Sequence, residues 1–108
     1  MYLYNLACNN FYEMIKKNKI LIIGVYEKNC IISDLFKGVM FKTNSLSNKK
    51  VTVALIEKEE YLKIIRDDEK QIFPIVLKFL NGINVMKIYG FNNYFTLIKK
   101  LKLVNLNV

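Results

Sequence analysis

Two rhythms alternate along the chain. Ile20-Leu21-Ile22-Ile23-Gly24-Val25 and the run from Val51 to Ile56 are short, nearly unbroken apolar stretches, the pattern of strands buried on both faces of a sheet. Between them the apolar positions change to helical spacing. Phe11, Met14 and Ile15 share one face until Lys16-Lys17-Asn18 ends the segment. From Cys30 onward Ile31, Ile32, Leu35, Phe36, Val39, Met40 and Leu46 fall on one stripe of a helix that the cysteine opens. Across Glu57 to Asp68, Tyr61, Leu62, Ile64 and Ile65 mark a helical face among charges. With Tyr2 to Ala7 as a first strand, the order to this point is βαβαβα.

The ending changes character. Ile75 to Leu80 and Ile83 to Tyr89 read as two strands joined by Asn81-Gly82, a pair suited to a tight hairpin turn that needs positive φ at both central residues. After Gly90, Asn92 or Asn93 can cap a last helix whose inner face carries Tyr94, Leu97, Ile98 and Leu101. Alternating strands and helices argue for parallel strands with helical crossovers, and the hairpin adds antiparallel ones. The expected architecture is α/β, a βαβαβαββα chain with a central mixed sheet flanked by helices.

Length and composition narrow the picture. A chain of 108 residues with 53% apolar and 24% charged residues is expected to form one domain spanning residues 1–108. Its longest apolar runs fall well short of the roughly 20 residues that span a bilayer. The N-terminus has no basic start and its apolar stretch is broken by Asn5, so a signal peptide is not expected and the cytosol is the expected location. The absence of histidine excludes His-based triads and His-ligated zinc, and two cysteines cannot supply a structural zinc site alone; neither metal nor cofactor is expected.

The net charge of +8 raises the question of nucleic acid, yet Arg66 is the one arginine among 17 basic residues. Outside Glu57 to Lys70 there are thirteen bases against three acids, densest at Lys16, Lys17 and Lys19 and at Lys99, Lys100 and Lys102. Solvated helix faces are the expected explanation, and nucleic acid is not the expected partner.

The candidate chemistry lies in Tyr26-Glu27-Lys28-Asn29-Cys30-Ile31-Ile32-Ser33, a loop after the second strand that delivers a thiol to the start of a helix. A cysteine there faces unpaired backbone N–H groups and the positive end of the helix dipole, which favour thiolate. Lys28 would help, while Glu27 and Asp34 would oppose. Ser33 lies three residues on, on the same helical face, where its hydroxyl could donate to the thiolate but could not attack a mixed disulfide. Cys8, if the first strand ends near Ala7, sits at the same sheet edge about two strands away, roughly 10 Å. That exceeds the roughly 7 Å Cα separation a disulfide tolerates, so Cys8 reads as a buried structural cysteine.

This order and these landmarks resemble the thioredoxin fold over nearly the whole chain. Cys30 matches the family's nucleophile, Tyr26 takes the place of its active-site tryptophan, Ile72-Phe73-Pro74 matches its cis-proline segment, and Tyr89-Gly90-Phe91 its glycine loop. The chain departs from the family in two places: Ser33 replaces the resolving cysteine, and Gly24 stands where a buried acid assists proton transfer to that second thiol. The resemblance implies that Pro74 is cis and packs against Cys30. It also implies that the backbone before Pro74 receives a partner chain as an added strand, with Tyr26, Asn29, Phe73, Gly90 and Phe91 lining the surface. The implied function is a monothiol redox protein whose Cys30 forms mixed disulfides with protein thiols or glutathione. The alternative is a redox-inactive thioredoxin-like interaction module.

Overall fold

Three parallel strands, each followed by a helix at the same edge, set the layout of the molecule. The computed structural model describes residues 3–46, 50–65 and 71–102, without the side chain of Leu46. Arg66, the proposed helical residues 66–68, the strand start at Tyr2 and the stripe position of Leu46 therefore lie outside the described residues. In chain order the elements are β1 (Tyr4–Leu6), α1 (Phe11–Lys17), β2 (Ile20–Tyr26), α2 (Ile31–Leu46), β3 (Val51–Glu57), α3 (Lys58–Leu62), β4 (Ile75–Leu80), β5 (Ile83–Tyr89) and α4 (Tyr94–Lys100).

The sheet order is β1-β3-β2-β4-β5. β3 pairs in parallel with β1 and β2, whereas β4 is antiparallel to both β2 and β5. At the turn between β4 and β5, Asn81 and Gly82 adopt φ of 50° and 84°, the conformation expected of the Asn-Gly pair. The β2 side chains alternate between two buried layers. Leu21, Ile23 and Val25 join Phe11, Ile15, Tyr61 and Leu77 on the α1/α3 face, while Ile22 and Tyr26 join Phe36, Met40, Val76 and Leu97 on the α2/α4 face.

Two helices differ from the sequence expectation. Among the described residues, α3 is five residues long, because the Glu57 side chain accepts the Glu59 N–H and starts the helix one residue late, and Lys63 closes it. In α2 the buried stripe is rotated: Phe36 and Met40 are buried together with Ser33 and Thr43, whereas Ile31, Ile32 and Leu35 are exposed. Both inner hydroxyls are satisfied by main-chain carbonyls, Thr43 Oγ1 donating to Val39 O at 2.9 Å and Ser33 Oγ to Glu27 O.

Candidate functional site

The edge where β2 and β3 end carries the candidate chemistry. Cys30 immediately precedes α2, is half-buried and is a free thiol; its carbonyl accepts the Ser33 N–H at 3.0 Å. The turn that brings it there runs through Asn29 at φ 58°, a left-handed conformation that asparagine adopts more readily than most residues. Cys30 thus stands directly before the open end of a 16-residue helix, where first-turn N–H groups lack partners within the helix.

Across the sheet edge the Phe73–Pro74 peptide bond is cis, and Pro74 is buried at the entry to β4. Gly90, at φ 84°, donates its N–H to Pro74 O at 2.8 Å. This bond fastens the loop that presents Phe91, which is 40% exposed. Since β4 pairs Ile75 with both Val25 of β2 and Tyr89 of β5, the Cys30, Pro74 and Gly90 loops emerge at one edge. Exposed Ile31, Ile72 and Phe91 give that edge an apolar border.

Three expected site residues behave differently from the sequence reading. Tyr26 is buried, because β2 extends one residue further than its apolar run and the ring joins the α2/α4 layer, with Lys37 Nζ 4.2 Å from its centroid. It packs beneath the surface and does not line it. The Phe73 ring is half-buried, meeting Tyr61 edge-on at 6.4 Å between centroids and packing against the α1/α3 layer. The Ser33 hydroxyl, with a single proton to give, donates it to Glu27 O and not to Cys30. Ser33 therefore joins the first turn of α2 to the loop that carries the thiol.

Gly24 explains its own departure from the family pattern. A Cβ at this position would lie 2.9 Å from Phe36 Cζ and 3.0 Å from Cγ and Cε of Met40. The place of the acid is filled by α2. Cys8 also differs from expectation: it is half-buried, and its N–H donates to Glu60 Oε1 at 3.1 Å. The Lys63 ammonium, bonded to Glu60 at 2.6 Å, and the Cys8 N–H hold the Glu60 carboxyl below its usual range. With β3 between β1 and β2, Cys8 and Cys30 stand at the same edge two strands apart, and both are free.

Sequence reasoning overlooked the charged groups that brace the loop. Glu27 Oε2 lies 3.1 Å from Lys58 Nζ, and Lys28 Nζ lies 3.6 Å from Glu57 Oε1. The signal was present as a repeated Glu-Lys dipeptide at the ends of β2 and β3, but it becomes readable only once their register is known. A hollow of about 450 Å³ opens beside Cys30, lined by Lys28, Asn29, Asp34 and Lys37 among others. Elsewhere, Lys16 and Lys17 occupy the last turn of α1 and Lys99 and Lys100 that of α4, where cations complement the helix dipole. Among the described residues no cluster of three or more His, Cys, Asp or Glu could hold a metal, and no helix is long and apolar enough to cross a membrane.

No family model matches the sequence, and no curated protein matches it. Solved structures do. Mitochondrial thioredoxin 3 from Saccharomyces cerevisiae, in its oxidised form, has a TM-score of 0.77 at 23% identity, with 93% of each chain covered. Thioredoxin f2 from Chlamydomonas reinhardtii has a TM-score of 0.79 at 15% identity, covering 97% of this chain and 98% of its own. The oxidised thioredoxin from Plasmodium falciparum has a TM-score of 0.75 at 16% identity, covering 93% and 98%. The chain has the thioredoxin fold.

Proposed function

We propose that this thioredoxin-fold protein is a monothiol thiol–disulfide exchange protein acting through Cys30. The observation that carries the reading is a free, half-buried cysteine at the open end of α2, at the same edge as Pro74, with Ser33 where a resolving thiol would stand. The Cys30 thiolate attacks one sulfur of a partner disulfide R–S–S–R′, forming Cys30–S–S–R and expelling R′S⁻, which takes up a proton. A second thiolate R″S⁻, from glutathione or another protein, attacks the R sulfur of the mixed disulfide, forming R–S–S–R″ and expelling the Cys30 thiolate. Ser33 holds the thiol loop through Glu27 O, while Pro74, Gly90 and Phe91 shape the surface along which the partner chain lies. Asn29 supplies the turn. A cytosolic setting would provide the low-molecular-weight thiol that release requires.

A second reading, a redox-inactive interaction module, is favoured by one observation: Gly24, packed under Phe36 and Met40, leaves no room for a proton-relaying acid. The two are separated by incubating the Cys8→Ala variant with glutathione disulfide and following intact mass. The exchange reading predicts one glutathione adduct, reversed by added thiol and absent from the Cys8→Ala/Cys30→Ser variant. Cys30 that alkylates with iodoacetamide in the folded protein yet gains no glutathione would overturn it in favour of the interaction module.

A further inference from the structure

Two adjacent residues of the thiol loop are paired by charge with the last residue of β3 and the first of α3. Because Tyr26 is in register with Glu57, Glu27 and Lys58 leave neighbouring parallel strands side by side, and their charged groups meet at 3.1 Å. Lys28 reaches back to Glu57 at 3.6 Å. Both members of the Lys58–Glu27 pair are partly sheltered, with side chains 31% and 38% exposed, whereas the other pair joins a sheltered Glu57 at 12% to a Lys28 that is 71% exposed. Lys58 Nζ also lies 5.0 Å from the centroid of the Phe73 ring, within the range in which an ammonium is attracted to an aromatic face. Glu27 in turn is bonded through its carbonyl to Ser33 in the first turn of α2. A single ammonium thus touches the loop that carries the thiol and the segment that carries Pro74.

We propose that Lys58 is a positioning residue, which holds the Cys30 loop and the Phe73–Pro74 segment in fixed relation so that the thiol meets a chain-borne disulfide in line. The proposal rests on the exchange reading above, since what is positioned is Cys30 against a partner chain. Without the ammonium, the Glu27 carboxylate and the Phe73 ring lose their common anchor. Cys30 keeps its own chemistry, but a partner lying along Pro74 presents its disulfide at the wrong angle. A small reagent needs no such alignment.

The test compares two rates in the Cys8→Ala background: exchange with a glutathionylated decapeptide, and alkylation by iodoacetamide. Lys58→Met, which keeps the apolar stem over Phe73, and Glu27→Gln are each expected to slow peptide exchange by about threefold to tenfold. Alkylation should change by less than about twofold in the same variants, which separates positioning from general damage. Lys58→Arg should restore the peptide rate, and the double variant should be no slower than either single one, because both remove the same contact. An unchanged peptide rate in Lys58→Met, or equal losses in both rates, would overturn the proposal. If the parent protein exchanges with neither peptide nor glutathione disulfide, the exchange reading falls. The brace is then decided by amide hydrogen exchange at residues 28–30, which Lys58→Met should accelerate if Lys58 holds the loop and leave unchanged if it does not.

Discussion

The side chains over Gly24 decide how much chemistry the residues of this site can support. A Cβ there would approach the rigid tip of Phe36 to 2.9 Å and both Cγ and the terminal Cε of Met40 to 3.0 Å, closer than ordinary packing contacts. Gly24→Ala is therefore expected to lower unfolding free energy by about 1–3 kcal/mol, the usual cost of overfilling a core, as measured by urea denaturation. Adding Met40→Ala should recover part of that loss, since the two changes share one space. A Gly24→Ala protein of unaltered stability would show that α2 yields freely and that the absent acid has no steric basis. The position of Cys30 before α2 was legible from the residues alone, because a thiol that opens a helical stripe is a local signal, whereas Pro74 came only with the resemblance, since a lone proline before a strand is common. Local signals could not settle Ser33 or Tyr26. The fate of the Ser33 proton depends on a carbonyl six residues earlier that a turn brings near, and the burial of Tyr26 depends on β2 continuing past its apolar run.

Among the elements, those defined by turn chemistry were the most legible. The Asn81-Gly82 hairpin has the strand limits expected, since the two-residue turn sets the pairing of Leu80 with Ile83 and Phe79 with Asn84, although the register shifts by one residue between Phe79 and Lys78. α2 was legible as a helix but not in its orientation, because hydrophobicity ranks Ile31 and Leu35 above Ser33 and Thr43. Once each hydroxyl donates to a main-chain carbonyl, serine and threonine can occupy the inner stripe, and the displaced apolar residues border the thiol edge. α4 depends on one of two adjacent asparagines, and the structure chooses Asn93, whose side-chain oxygen accepts the Thr96 N–H at 2.9 Å. Asn93→Ala is expected to cost about 0.5–2 kcal/mol, and Asn92→Ala clearly less. The comparison is read from thermal unfolding midpoints, and equal losses in the two variants would show that the cap is not what starts α4.

For the whole molecule, the alternation of periods was enough to give the class of fold, whereas charge placement required the assembled sheet. Lys78 shows why. It interrupts the apolar run of β4, a position that reads as solvent-facing, yet it is 8% exposed and its Nζ donates to Leu101 O at 2.6 Å, at the end of α4. Burial, aided by the nearby charge of Lys102, holds its pKa below the usual lysine range. Across the interval between that lowered value and the ordinary one, the unfolded chain binds more protons at this group than the folded protein does. Stability contributed by Lys78 must therefore rise with pH there and be least where both states are fully protonated. The unfolding free energy of the parent protein minus that of Lys78→Met should thus increase as pH is raised from about 8 to about 10.5, a window that ends at the ordinary lysine value. Subtracting the variant removes the lysines remote from this position, whose titration is common to both proteins. A difference that falls over the same window would mean that the bond to the Leu101 carbonyl, together with the helix dipole behind it, outweighs desolvation and favours the ammonium. In that event α4 would be anchored to the sheet by a charge, and not merely by the burial of Leu97 and Leu101.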